Sequence, residues 1–427
     1  MSQTEYQQFL EYIKPYENIV QQFKNGYLCV SIHPIQESEL VTPNRLLLEA
    51  DLLKTKKSID EFHLFDKEKV SYYEKASRIM DPFSFYKSTV KQNVSPVNSM
   101  TNAWLKCWEM IHVFELLPQS GHSLVFCNAE LPGAFLFAIH HFMNTKSRGT
   151  YDWMANSLYP SDGAILGDQF GLYSRYPKKW CMTSDGVHNG DVTSMDTIER
   201  LKQMTRQQVD LYTSDIGIEM THETFDKQEE IEAPLHLGQI ICGLQTLKEG
   251  GHLVCKTFMF FSPFSMSLLY LTSLCFKEFF IYKPETSRPG NSEVYWIGKA
   301  YLRNEEIIEL FMNTLSTWKK EYMDIYLKPI PEEAYLKIVL ASYRIFGRQI
   351  GFIEEMVGTV KSLYHKKIPC NFKPISYTQL FKKEQQRLQH WISRFSIPYL
   401  HPSYSLFNSD WVTVNDWLDI SKTEEQL

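Results

Sequence analysis

Between residues 121 and 300 the chain repeats one arrangement: a short apolar run, then a helical or looped stretch, then another run. The runs are SLVFCNA (123–129), VDLYTS (209–214) and GHLVCKTF (251–258). Strand, crossover and strand in that order predict a parallel sheet covered by helices, because parallel neighbours cannot be joined by a tight turn. The same pattern constrains the site. In an open parallel sheet, ligands bind outside the carboxyl ends of the strands, near the point where the strand order reverses.

The flanks read differently. Residues 1–97 are expected to be mainly helical, with charged stretches such as DLLKTKKSIDEFHLFDKEKVSYYEKASRIM, and VKQNVSPVNS (90–99) is a turn-rich connector. MTNAWLKCWEMIHVFELL then sets Trp104, Trp108, Ile111 and Phe114 or Leu117 on one helical stripe. After about residue 303 the apolar period returns to 3.6. The expected organisation is therefore a helical region (1–97), an α/β domain (98–302) and a second helical region (303–427). With 427 residues, 44% of them hydrophobic, the chain can form two or three cores.

Charge and cysteine usage narrow the setting. A formal charge of −6 repels nucleic acid overall, so RNA or DNA would have to be held by a local basic surface. The eight cysteines form no C-x-x-C pair and mostly lie in apolar stretches, as expected of buried free thiols in a reducing compartment. Thirteen histidines include no H-E-x-x-H and no Cys/His cluster, so no metal is expected. The N-terminus lacks the layout of a signal peptide. Residues 257–276 run for 20 positions without a charge, long enough for a membrane span. Pro263 and six Ser/Thr residues favour a buried strand end and core helix instead, and no membrane role.

The candidate chemistry lies at the ends of the runs. The first leads into NAELPGAF (128–135), whose Pro-Gly turn would let a ligand approach the backbone, although any tight connection can be spelled this way. The second leads to Asp215, and the third places Lys256 near its end. A lysine in an apolar strand is costly to bury unless paired, the alternative being an edge residue reaching solvent. EVYWIGKAYL reads as a strand beginning at Glu293. If it runs antiparallel, it starts at the rim where the parallel strands end, and Asp215, Lys256 and Glu293 converge. The loop KPETSRPGN covers that rim, so Ser287 or Arg288 could touch a ligand. Lys106 could also reach it, although its local setting suits a solvated helix lysine better. Two lysines and two carboxylates in one cleft suggest proton abstraction. A second cation lowers a lysine pKa, and a partly neutral lysine can act as a general base on a hydroxyl.

The segment TLKEGGHLVCKTFMFFSPFSMSLLYLTSLCFKEFFIYKPETSRPGNSEVYWIGKAYL closely resembles the FtsJ-like (RrmJ-type) RNA 2′-O-methyltransferases, in particular the cap-specific ones and the form carried by large cytoplasmic DNA viruses of the African swine fever type. The resemblance spans roughly 98–302. It implies a Rossmann-like, mostly parallel sheet with one antiparallel strand, S-adenosyl-L-methionine as cofactor, and a Lys-Asp-Lys-Glu tetrad at Lys106, Asp215, Lys256 and Glu293. AELPGAF occupies the place of the family's Pro-Gly-Gly-Phe cofactor loop, which implies Glu130, Pro132, Gly133, Ala134 and Phe135 as cofactor residues with Asp215. GVHNGDVTSMDTI resembles the Gly-Asp-Ile-Thr segment and adds Asp191. The implied substrate is the capped 5′ end of mRNA, and other capping-enzyme subunits are conceivable partners.

The sequence departs from that pattern at Ala134, where the family has a second glycine, and at Ile216. The added methyl could narrow the cofactor pocket. Asp152 and Asp168 are the candidate acids for the cofactor ribose. SRYPKKW (174–180) offers Arg175, Lys178 and Lys179 among aromatic residues, suited to phosphates and stacked bases, with KTKK (54–57) and YHKK (364–367) as further basic clusters. The competing expectation is a methyltransferase fold kept as a scaffold. Retention of two costly lysines facing two carboxylates argues for the enzyme.

Overall fold

The computed structural model describes residues 28–31, 45–63, 77, 80–94, 99–159, 167–183, 187–218, 227–365 and 379–408. Lys366 and Lys367 of YHKK fall outside them. The three apolar runs form β2 (His122–Asn128), β4 (Val209–Ser214) and β5 (Leu247–Thr257), hydrogen-bonded in parallel as β2–β4–β5. β3 (Thr150–Asn156) pairs in parallel on the outer side of β2. β7 (Val294–Tyr301) lies antiparallel between β5 and β6 (Phe276–Lys283). The register sets Lys256 opposite Tyr295 and Thr257 opposite Val294, so β7 starts where β5 ends.

Three strands join the sheet that the sequence had not suggested: β3, β6 and β1 (Leu28–Ser31). β1, inside the region expected to be helical, pairs antiparallel with β6 and completes the order β1–β6–β7–β5–β4–β2–β3. Strand formation in four residues depends on an available edge rather than on local preference. β5 also begins earlier than the Gly250-Gly251 turn: the ladder shifts register between Val209 and Leu211, and Gly250 absorbs the irregularity with φ +81°.

Helices cover both faces. On one face, α5 (Met195–Thr205), α6 (Gln228–Thr246), α7 (Pro263–Ser273), α8 (Glu305–Ser316) and α9 (Glu332–His365) pack Leu201, Ile240, Leu268, Phe311 and Phe346 with Phe126, Tyr212 and Trp296 of the sheet. α1 (Arg45–His63) adds Leu52 to this core. On the other, α2 (Pro82–Val90), α3 (Asn102–Phe114), α4 (Ala134–Thr145) and α10 (Gln379–Arg394) pack Phe83, Trp104, Trp108, Ile139 and Trp391 with Val125, Leu211 and Tyr295. Strand residues alternate between the two cores, as the two-residue period of a pleated strand requires. The uncharged stretch 257–276 resolves into the end of β5, the 11-residue α7 and the first residue of β6. No described helix is long and apolar enough to cross a membrane.

Candidate active site

Four charged side chains meet at the carboxyl ends of β4 and β5. Lys106 comes from the middle of α3, whose start is capped by Thr101 accepting from the Trp104 amide at 3.2 Å. Asp215 follows the last residue of β4, Lys256 sits one residue before the end of β5, and Glu293 immediately precedes β7. Lys106 Nζ donates to Glu293 Oε2 at 2.7 Å, and Lys256 Nζ lies 3.3 Å from Asp215 Oδ1 and 2.8 Å from the Asp215 carbonyl. The Tyr295 hydroxyl joins the two pairs, donating to Asp215 Oδ1 at 2.7 Å and lying 3.5 Å from Lys106 Nζ. All three groups at the Lys106 end are buried, so each charge depends on its partner.

Electrostatics separate the two lysines. Burial works against the Lys106 ammonium, but Glu293 and Asp215 outweigh it and raise its pKa. The expectation that neighbouring cations depress a lysine pKa therefore does not hold at Lys106, because its carboxylates are closer and bonded to it. Burial opposes ionisation of Glu293, yet Lys106, Lys256 and Lys283 hold its carboxyl well below the ordinary range. Lys256 is paired to the more open carboxylate: the Asp215 side chain is 19% exposed against 7% for Glu293.

The loop before β7 fixes Glu293. Ser287, which is buried, donates to Glu293 Oε1 at 2.7 Å. It thus orients the carboxylate from behind, which corrects its expected role as a ligand contact. Lys283, at the end of β6, donates to the carbonyls of Asn291 and Glu293, each at 2.7 Å, and to the Asn291 side chain. Burial draws its pKa down to about 7, Glu293 pulling the other way. Arg288 is exposed at the mouth, close enough to oppose the charge on Lys106.

The neighbouring rim, at the ends of β2 and β3, is built mostly from uncharged groups. Asn128 donates to the Tyr212 hydroxyl at 2.9 Å, and Asn156 donates to Asn128 Oδ1 and to the Gly190 carbonyl, each at 2.9 Å. Asn156 Oδ1 is buried without a partner. Gly133 has φ +121°, and a Cβ there would stand 2.2 Å from Leu172 Cδ1. Ala134 is the first residue of α4, where an ordinary side chain is tolerated, so its methyl lies on the helix rather than across the strained turn. Phe135 is 1% exposed and stacks 6.3 Å from the Tyr295 ring, a packing role that links the two rims. Glu130 accepts from the Leu136 amide at 2.8 Å, capping α4, and burial pushes its carboxyl up to about 8. Asp191 Oδ1 accepts from the Thr193 amide at 2.9 Å and its hydroxyl at 2.8 Å.

The FtsJ-like methyltransferase profile matches residues 100–301. Probable methyltransferase EP424R of African swine fever virus (isolate Pig/Kenya/KEN-50/1950) is 32% identical over 369 residues, covering 78% of this chain and 85% of that protein. The chain belongs to the FtsJ-like methyltransferase family. It is also 33% identical to the cap-specific mRNA (nucleoside-2′-O-)-methyltransferase 2 of Danio rerio over 232 residues, 51% of this chain and 30% of that one. The Drosophila melanogaster protein of that name is 29% identical over 251 residues, 56% of this chain and 35% of its own length. The chain is thus a methyltransferase related in sequence to proteins named as cap-specific 2′-O-methyltransferases. Enzymes of this family generally depend on S-adenosylmethionine. The mostly uncharged rim fits such a molecule: the orphaned Asn156 Oδ1 is an acceptor awaiting a donor, and the half-buried Asp191 stands beside it on the loop clamped by Gly190.

Within the FtsJ-like domain, several expected residues are engaged elsewhere. Asp152 lies mid-strand in β3, buried and ion-paired to Lys179 at 2.5 Å. Asp168 accepts from the amides of Tyr173 at 3.1 Å and Ser174 at 2.8 Å, capping a short helical turn. Neither acid is at the end of β3, where Asn156 and Ser157 stand, so neither is placed to meet a cofactor ribose. Lys179 is only 4% exposed, so it does not join the surface cations; Arg175 and Lys178 do remain exposed. The sequence reading missed Tyr295, Lys283 and Glu109. Glu109 was detectable: with Lys106 it forms an i, i+3 pair of charges inside an otherwise apolar helix.

Proposed function

We propose that this FtsJ-like enzyme methylates a ribose 2′-hydroxyl at the capped 5′ end of mRNA, using Lys106, Asp215, Lys256 and Glu293. The observation that supports this most is the arrangement of two lysine–carboxylate pairs joined by one tyrosine hydroxyl at the carboxyl rim. The relatives named as cap-specific mRNA 2′-O-methyltransferases favour the cap as target.

When bound, S-adenosylmethionine supplies a methyl group already activated on a sulfonium. Glu130, Pro132, Gly133, Ala134, Phe135, Asn156 and Asp191 would form or back its pocket. The chain's remaining task is to align the 2′-oxygen and take its proton. Lys256 is the base: its amine lies on the more open pair, beside Gly217, where an added Cβ would stand 2.9 Å from Nζ. Lys106 has its pKa raised and stays an ammonium, whose charge favours the oxyanion that forms as the proton leaves. Asp215 holds Lys256, and Glu293 holds Lys106. Exposed Arg288, Arg175 and Lys178 are the candidates for RNA phosphates.

The test is calorimetric titration of S-adenosylmethionine into the wild type and Lys256→Ala, with methyl transfer to capped and uncapped RNA measured on the same samples. Binding by both proteins is expected, with transfer by wild type alone and a fall of at least ~10²-fold in the variant. Transfer that survives in Lys256→Ala removes the base assignment. Equal transfer to uncapped RNA removes the cap.

A further inference from the structure

We propose that two helices beyond the methyltransferase core, α9 and α10, position the catalytic rim through Gln349 and Trp391. This rests on the reading that Lys106 and Glu293 serve methyl transfer. The match to the family ends at residue 301, and both residues lie outside it.

The loop from Pro284 to Ser292 has little regular structure of its own, yet buried polar contacts fix both of its halves. In the first half, Glu109 of α3 accepts from the Glu285 amide at 2.7 Å, the Thr286 amide at 3.1 Å and the Thr286 hydroxyl at 2.9 Å. The Tyr282 hydroxyl also donates to it. A further donor comes from the far end of the chain: Trp391 Nε1 of α10 reaches Glu109 Oε2 at 2.8 Å. Glu109 is fully buried with no cation among these partners, so hydrogen-bond donors alone stabilise its carboxylate. Removing one weakens the hold on the loop as well as on the indole.

In the second half, Gln349 of α9 donates to the Gly290 carbonyl at 2.9 Å and accepts from the Ser292 hydroxyl at 3.1 Å. Gln349 is 2% exposed, and this two-way bridge spans the residues leading into Glu293. Between the two anchors lies Ser287, whose hydroxyl orients Glu293 toward Lys106. The path Trp391–Glu109–Thr286–Ser287–Glu293–Lys106 therefore joins the C-terminal helix to the tetrad by hydrogen bonds and adjacent backbone. Gln349 and Trp391 touch no reacting atom; they are positioning residues.

The test uses the full chain carrying Trp391→Phe, which keeps a ring but loses the N–H, or Gln349→Met, which keeps the volume but loses both bonds. Val360→Ala, a fully buried α9 position away from the loop, is the control for general destabilisation. Amide hydrogen exchange of the 284–293 peptide and the kinetics of methyl transfer are measured for each. The expected result is about tenfold faster exchange in the loop and about tenfold lower kcat, with KM for RNA unchanged, in both variants and not in the control. Should Trp391→Phe not fold, Gln349→Met decides alone. Loop exchange and kcat matching the Val360→Ala protein would overturn the proposal. If the wild type transfers no methyl group to RNA, the functional reading fails while the exchange arm still decides whether these helices hold the loop.

Discussion

The two halves of the carboxyl rim are built on opposite principles. Under β4, β5 and β7 the site is charged, with every buried ion held by a partner: Lys106 by Glu293, Lys256 by Asp215, and Tyr295 between them. Under β2 and β3 it is mostly uncharged, made of amides, a strained glycine and a carboxyl that burial pushes toward its protonated form, with the Asp191 carboxylate at its edge. A charged, low-dielectric cluster suits moving a proton, whereas a mostly uncharged, shaped edge suits holding a cationic cofactor without competing for its charge. The difference teaches where substitutions should be costly. Loss of one member of a charged pair strands the other, but neutral contacts fail singly.

Glu293→Gln tests that contrast hardest on the charged side. It leaves the buried Lys106 ammonium without its counter-ion, and a loss of about 3–5 kcal/mol in urea-unfolding stability is expected together with loss of transfer. The double variant Lys106→Met/Glu293→Leu should recover most of the stability and none of the activity. A double variant as unstable as the single one would mean that the pair was not the reason. On the neutral side, Gly133→Ala places a Cβ against Leu172 at a φ of +121°, and should cost about 2 kcal/mol and weaken cofactor binding in calorimetry.

Glu130→Gln sharpens the comparison through pH. The Glu130 carboxyl titrates near 8 in the fold against an ordinary 4.5, so its contribution to stability is complete below about 4.5 and is lost as pH rises toward about 8. The variant keeps an acceptor for the Leu136 amide and should flatten that slope, becoming the more stable protein above pH 8. Identical thermal-melt profiles for both proteins from pH 4.5 to 8 would contradict the assignment. The smallest effect is expected at Ala134→Gly, which restores the family's glycine. Lying at the first position of α4, it should lower stability by about 0.5–1 kcal/mol and leave S-adenosylmethionine affinity within a few-fold. A large gain in affinity would show that the Ala134 methyl does intrude on the pocket.

Much of the central domain was legible because its strands are buried on both faces and so spell continuous apolar runs: β2 and β4 fall within a residue of SLVFCNA and VDLYTS. The start of an antiparallel β7 at the rim where β5 ends was expected on the same geometry, whereas a place for Lys106 beside Glu293 was implied by the family resemblance alone. The errors share a cause. Lys179, Ser287 and Asp152 were judged by side-chain type, while their environments come from residues distant in sequence or from the turn of a loop: Lys179 and Asp152 neutralise each other, and Ser287 faces inward. β1 could not be foreseen because four residues acquire a strand only by meeting the edge of β6.

The alternation of strands and crossovers, the family, and the identity of the charged residues that end the strands are all legible in the order of amino acids. These depend on local periodicity and on residue type. Closure of the fold sets which cation meets which anion, makes Tyr295 the link between the two pairs, and brings Glu109, Gln349 and Trp391 to grip the loop before β7. Pairings of this kind join residues as far apart as positions 109 and 391. Their energies depend on distance and burial, quantities that come into existence only when the chain has closed.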